Sequence, residues 1–340
     1  MSSQPFVTIV IPAYNAAKYI ELVLEAIYNQ DYPKELIEVI LVDDNSKDNT
    51  VEIAQSFQPK FQHFKIIKKD GLRGASSSTN IGIKQAQGEI ICSIDSDAIL
   101  LNKNWISEVV NAMADPQVAA VAGYIYTGNN YNIWARLMGA ELEDRYDQIK
   151  TENVDHVSTC NTAYRKSSLE LESVNLLDEN LYYGYDVDLS YKLKQAGFKI
   201  KLLKHIGCNH FWKETLLGYL KQQFNVAYGR LYLISKYPQK SSGDNVAGMF
   251  QFVQVPLTAL TGFFLLISIF FPQLLYMSAL FFLLLFLMQL PQTYRIFKKK
   301  KQFSFIILPF FNIIRNCTWV IALLSFYFDK LRGKTRIKIV

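Results

Sequence analysis

The feature that most constrains this chain is a strand–helix alternation over its first hundred residues, in which three strand ends are polar. Val7-Thr8-Ile9-Val10-Ile11 is an unbroken, mainly β-branched run, the pattern of a parallel strand covered on both faces. Pro12 is expected to stop it, and Asn15 to cap a helix whose apolar positions Ile20, Val23, Leu24 and Ile27 recur at helical spacing. Residues 37–42 predict a second buried strand, running into Asp43-Asp44-Asn45-Ser46, and a helix through Val51, Ile53 and Ala54 follows. Residues 64–67 read as a third strand, 79–86 as a helix, and 89–94 as a fourth strand leading straight into Asp95-Ser96-Asp97. Such alternation implies an α/β sandwich with right-handed crossovers. Ligands of such sheets bind beyond the carboxyl ends of the strands, where Ala13-Tyr14-Asn15, Asp43-Asp44 and Asp95-Ser96-Asp97 all fall.

The next hundred residues are less regular. A helix is predicted at 105–113, a strand at 118–122 and a helix at 186–196, which Gly197 would close as a C-cap. Between 214 and 234 the apolar residues Leu216, Leu220, Phe224, Ala227, Leu231 and Ile234 form a stripe bordered by Lys213, Lys221, Arg230 and Lys236. Both a helix in a membrane interface and a core-facing helix show such a stripe.

Half of the residues are hydrophobic, and the excess is concentrated at 247–328. Segments 247–271 and 273–290 flank Pro272 and approach the ~20 residues that cross a bilayer, as a tight hairpin. Segment 305–328 is long enough to cross but carries Asn312, Arg315 and Asn316 near its middle, leaving crossing and re-entrant readings open. Charge is partitioned too: from residue 291 onward eleven Lys or Arg face the single Asp329, while the rest of the chain is slightly acidic. A basic end beside apolar segments, with Lys298-Lys299-Lys300-Lys301 after the hairpin, points to anionic membrane lipids at a cytoplasmic face and away from nucleic acid. The four cysteines lack paired spacing, which fits a reduced compartment, and no signal peptide is recognised. The expected organisation is therefore a catalytic domain over 1–212, held in the cytoplasm, and an interfacial amphipathic helix region over 213–240. A membrane region with two or three apolar helices over 247–328 and a basic tail over 329–340 complete it.

Four groups of residues carry candidate chemistry. Asp95 and Asp97, in an exposed turn after a buried strand, suit a hard divalent cation that neutralises a diphosphate, although aspartate is common in turns without one. Asp44 offers an acceptor to the imide N–H of uracil and Tyr14 a face for the base to stack on; capping of the next helix is the plainer role for a strand-end Asp. Asp186 and Asp188 open a helix, where Asp186 suits a general base and where both also suit simple capping. His210, before Phe211-Trp212, is either a further metal ligand or a structural histidine beside aromatics.

In this order the pieces resemble the family-2 inverting glycosyltransferases with the GT-A fold, over about residues 6–235. The resemblance rests on five stretches: 7–15, Val42-Asp43-Asp44-Asn45-Ser46-Lys47-Asp48-Asn49-Thr50, Ser78-Thr79-Asn80-Ile81-Gly82-Ile83 with Ala86-Gln87-Gly88-Glu89, Asn161-Thr162-Ala163-Tyr164-Arg165, and Gly184-Tyr185-Asp186-Val187-Asp188-Leu189. It implies an α/β, Rossmann-like nucleotide-diphospho-sugar transferase domain followed by C-terminal transmembrane helices. By that resemblance Pro12, Tyr14 and Asp44 bind the nucleoside, with Arg73 and Asn80 as further donor-site residues. The resemblance also implies that Asp95 and Asp97 hold Mg2+ or Mn2+ and the diphosphate and that Asp186 is the base for inversion; His210, from the residue reading alone, is the candidate for a further metal ligand. Asn161, Tyr185 and Trp212 fall on the acceptor side. Tyr185 stands where the family usually has Glu, so the acceptor pocket is expected to differ. The Gln-x-x-Arg-Trp motif of processive synthases is absent from the stretch 222–230, which favours adding one or a few sugars to a lipid-linked or membrane-proximal glycan acceptor. The alternatives are a polyprenyl-phosphate sugar synthase of the dolichyl-phosphate-mannose-synthase kind, a processive polysaccharide synthase and a catalytically dead membrane scaffold. A dinucleotide-dependent dehydrogenase is disfavoured, because no Gly-x-Gly-x-x-Gly follows the first strand.

Overall fold

The strand that opens the chain runs further than its sequence suggests. In a computed structural model, which describes residues 4–71, 74–181, 183–246 and 248–333, β1 spans Val7–Ala13 and includes Pro12, paired in parallel with Val42. The ladder of β1 with its other neighbour ends at Val10, so Pro12 lies past that side of the sheet, where a missing N–H is tolerated. In chain order the further elements are α1 (Ile20–Tyr28), β2 (Ile37–Asp43), α2 (Thr50–Ser56), β3 (His63–Lys68), α3 (Ala75–Gln85), β4 (Ile90–Ile94), β5 (Ala98–Leu100), α4 (Trp105–Ala112) and β6 (Val118–Thr127). Then come α5 (Ile133–Gln148), β7 (Asn161–Arg165), α6 (Lys166–Leu169), α7 (Tyr185–Gln195), β8 (Lys199–His210), α8 (Leu216–Lys236), α9 (Met249–Ile267), α10 (Leu275–Lys300) and α11 (Leu308–Leu331).

The chain divides into two units. The first, residues 1–128 and 150–211, holds one eight-stranded sheet in the order β3-β2-β1-β4-β7-β6-β8-β5. Strands β3, β2, β1 and β4 are parallel, as the alternation predicts; β1, β2 and β4 are almost wholly buried on both faces, and α3 packs against β1 and β2. The other half is mixed: β7 is antiparallel to β4 and β6, β8 runs parallel to β6, and β5 is antiparallel to β8. Helix α7 ends as expected, Gly197 adopting a φ of 88° while Phe198 N donates to Leu193 O. Asn15 does not cap α1. It has a φ of 49° and accepts a hydrogen bond from Lys47 N, and its own N–H donates to Ser46 Oγ.

The second unit, residues 129–149 and 212–337, is all helical among the described residues, and α5 belongs to it although its sequence lies inside the catalytic stretch. Asn132 caps α5, accepting from Trp134 N and Ala135 N. Leu137, Met138 and Ala140 of α5 form a buried cluster with Tyr219, Ile296, Phe305, Leu308 and Phe311. Three ion pairs join α5 to α10: Arg295 grips Asp144 through two bonds of 2.9 and 2.7 Å, Lys299 meets Asp147 at 2.6 Å and Lys300 meets Glu143 at 2.5 Å. Two residues of the lysine run expected at lipid headgroups are thus engaged by protein carboxylates.

Two helical stretches are long and apolar enough to cross a membrane, 272–300 and 303–331, with mean hydropathies of 2.1 and 1.6. The first apolar segment forms a shorter apolar helix, Val253–Ile267 within α9. The polar residues in the middle of the last segment all turn inward. Arg315, 2% exposed, pairs with Glu141 and stacks on Trp319; Asn316 donates to Gln254, and Asn312 to Gln289 and Gln292. All three residues thus meet a polar partner, the Asn312 side-chain oxygen alone being left without one among the described residues, which eases the objection that residues 312–316 raise against an apolar setting.

Candidate active site

The site is assembled by sheet register. β4 ends at Ile94, and the chain turns through Asp95, whose N–H donates to Cys160 O and whose carbonyl accepts from Ala98 N. β5 then pairs antiparallel with β8, Ala98 opposite His210. This pairing lays His210 beside Asp97, Nε2 to Oδ1 3.5 Å. Ligand atoms of Asp95, Asp97 and His210 all lie within 4.8 Å of one another, each residue part-buried. Two carboxylate oxygens and an imidazole nitrogen at this spacing suit Mn2+ or Mg2+. Burial, together with Asp97 and Asp186, pushes the Asp95 carboxyl up to about 8. Crowded negative charge of this kind is what a divalent cation relieves.

Asp186 enters from α7. Gly184 precedes it with a φ of 83°, a left-handed turn that aims the helix start, and Val187 N donates back to Asp186 Oδ1 at 2.9 Å. Asp188, two residues on, is wholly buried and ion-paired with Lys192 at 2.9 Å one turn later, which ties down the start of the helix. Tyr185 and Tyr164 are neighbours of the carboxylates: burial first, then Asp95 and Asp186 for Tyr185 and Asp186 for Tyr164, raise both phenols well above their usual value. Tyr164 was not singled out in the sequence. The alternation in Asn161-Thr162-Ala163-Tyr164 that places it on one face of β7 is its only signal there.

At the other strand ends, Tyr14 is 42% exposed and Pro12 is part-buried. Asp44 N donates to Ala13 O, which draws the β2 end against the β1 end. The Asp44 carboxylate accepts from Lys69 Nζ at 2.9 Å and from Gly74 N at 2.7 Å. Lys69, 5% exposed at the side chain, was missed in the sequence, where it is one more lysine after a strand. Asp43 instead closes a turn by accepting from Ser46 N.

Three expected site residues serve the scaffold. Asn80 spends its amide on the loop before α7, donating to Leu177 O and Glu179 Oε1 and accepting from Leu177 N. Asn161 is wholly buried: it accepts from Gly123 N and donates to Tyr124 O and Cys208 Sγ, tying β7 to β6 and β8. Trp212 lies in the helical unit, its backbone exchanging two hydrogen bonds with Asn129 and its ring packed against the Tyr219–Phe311 cluster. Arg73 lies outside the described residues.

A half-parallel sheet with an Asp-x-Asp turn at the end of β4 defines the GT-A class of nucleotide-sugar transferases. Comparison with known proteins gives the same class. The model of "Glycosyl transferase family 2" matches residues 8–171 and that of "Glycosyl transferase family group 2" residues 90–328. Glycosyltransferase AglE of Haloferax volcanii is 30% identical over 241 residues, 68% of this chain and 74% of that one. A poly-β-1,6-N-acetyl-D-glucosamine synthase of Staphylococcus epidermidis is 26% identical over 66% of this chain, which spans 54% of the synthase. Among solved structures, the mannosyltransferase PcManGT of Pyrobaculum calidifontis, in complex with GDP-Man and Mn2+, aligns with a TM-score of 0.63 at 19% identity, over 97% of this chain and 89% of its own. The chain belongs to family 2 of the glycosyltransferases, enzymes that use nucleotide sugars as donors.

Proposed function

We propose that the enzyme transfers a sugar from a nucleotide diphosphate sugar, with uridine as the preferred base, to a lipid-linked or membrane-proximal glycan. The convergence of Asp95, Asp97 and His210 through the Ala98–His210 pairing carries this reading. These three would hold Mg2+ or Mn2+, which supplies charge neutralisation for the departing nucleoside diphosphate. Tyr14 and Pro12 flank the base, and Asp44 accepts its imide N–H. Asp186 takes the proton of the acceptor hydroxyl as it attacks the anomeric carbon from the opposite side, so the configuration inverts. The capture of Mn2+ and GDP-Man by PcManGT supports a metal-assisted donor site.

The helical unit would be held in a bilayer. The stretches 272–300 and 303–331 have the length and hydropathy for it, and the 19 residues of α9 reach about 28 Å, close to the hydrocarbon thickness. The Lys298–Lys301 run would then mark the cytoplasmic side, where the sheet unit works. The test is detergent-purified enzyme offered a panel of nucleotide sugars, with released nucleoside diphosphate as readout, with and without chelator. Metal-dependent release with one donor class is expected. Release that ignores the chelator sinks the metal assignment, and no release with any donor sinks the whole reading.

A further inference from the structure

Lys69 sits just past β3, its backbone N–H donating to Asp43 O at 2.9 Å. Its buried ammonium reaches Asp44 Oδ1 at 2.9 Å, Ser77 Oγ at 2.6 Å and Gly74 O at 3.5 Å, so its three N–H donors have three acceptors. Gly74 N closes the ring by donating to the other Asp44 oxygen at 2.7 Å, and Ser77 Oγ donates to Gly74 O at 3.0 Å. A lysine costs free energy to bury, and this one is compensated by a carboxylate that is itself 7% exposed. Each Asp44 oxygen accepts one of these bonds and keeps a lone pair for a further donor. The carboxylate is thus held by two elements, the β3 end and the start of α3, while its own N–H joins it to the β1 end beside Tyr14.

We propose that Lys69 is a positioning residue for the nucleotide half of the donor. It fixes the direction of the Asp44 carboxylate and balances its charge, so that a nucleobase N–H meets a pre-aimed acceptor at no ordering cost. The inference rests on the reading of Asp44 as a nucleobase acceptor. Lys69 touches no part of the sugar being transferred and acts through Asp44.

The test uses the full-length enzyme in detergent and three variants, Lys69→Met, Lys69→Arg and Asp44→Asn. UDP and GDP serve as calorimetric probes, and donor KM and kcat are measured alongside. Lys69→Met should weaken binding of the nucleotide that wild type prefers by about tenfold or more, and raise KM more than it lowers kcat. Lys69→Arg should recover most of the loss, and Lys69→Met added to Asp44→Asn should cost little more than Asp44→Asn alone. Wild-type affinity in Lys69→Met, with Asp44→Asn impaired, overturns the role of Lys69 and leaves that of Asp44 standing. Unchanged affinity in Asp44→Asn overturns the reading beneath it. Should Lys69→Met fail to fold, Ser77→Ala, which removes one acceptor of the ammonium, should weaken nucleotide binding by a smaller factor; no change there also overturns the proposal.

Discussion

Ala98 of β5 faces His210 of β8, and this one pair brings together residues more than a hundred positions apart, setting His210 Nε2 3.5 Å from Asp97. The candidate metal site is therefore a product of sheet register, with two of its residues from a turn and the third from a distant strand.

Asp97→Ala should reduce kcat/KM by about a hundredfold or more, because the charge on the departing diphosphate loses its stabilisation. The apparent Mn2+ requirement should rise in His210→Ala as well, with a smaller loss in turnover. Steady-state rates across a Mn2+ titration check both, and a wild-type response in Asp97→Ala contradicts the assignment.

Asp186→Asn should abolish transfer to a hydroxyl acceptor while leaving nucleotide affinity near wild type, since the lost group acts on the acceptor proton. Calorimetry with the nucleoside diphosphate separates binding from chemistry. Full activity in this variant would point to an acceptor that needs no base, such as a polyprenyl phosphate.

Asp95 should make metal binding and metal-free stability depend on pH. Burial, with Asp97 and Asp186, raises its carboxyl from 3.8 to about 8. An acid whose folded pKa lies above its unfolded one binds a proton on folding, and its contribution to stability declines as pH rises through that window. Without divalent cation, wild type should lose thermal stability relative to Asp95→Asn as pH climbs from about 4 to about 8. Mn2+ affinity should increase over the upper part of the same range, because the cation displaces the proton. Parallel thermal scans of the two proteins, with and without Mn2+, decide it; curves that stay parallel in the absence of metal refute it.

Arg315→Met alone should destabilise the helical unit by about 3–5 kcal/mol, because it leaves Glu141 charged and buried. Adding Glu141→Gln should restore a large part. Thermal unfolding in detergent reads the difference, and additive losses would show that the two residues do not act as a pair.

Asn161→Ala should cost about 1–3 kcal/mol of stability, since Gly123 N and Tyr124 O are left without their buried partner. Its KM for donor and acceptor should hardly move, in contrast to a residue that touches the acceptor sugar.

The parts of the site legible in the sequence are those where a local pattern meets a strand end. Asp44 and Asp95 could be placed because a buried β-branched run announces each strand and the acids follow at once. Asn80 and Asn161 stand in motif-like stretches too, but which group an amide bonds depends on segments as distant as Leu177 and Cys208, and no spacing reveals that. The mixed half of the sheet was invisible for the same reason, since β8 pairs with β6 and β5 across long separations. Arg315 looked out of place in an apolar helix because its partner, Glu141, lies in another segment altogether.

Helix α5 is threaded into the middle of the catalytic sequence yet packs with the helical unit, so the chain passes between the two units after residues 128, 149 and 211. Cutting the protein after residue 212 would not release a free-standing sugar-transfer domain. The fragment would keep Ile133–Gln148 while losing Tyr219, Phe311 and Arg315, leaving an oily stripe and the acids Glu141, Glu143 and Asp144 with nothing to cover or neutralise them. A stand-alone sheet unit therefore requires excision of that helix as well as of the residues after 211.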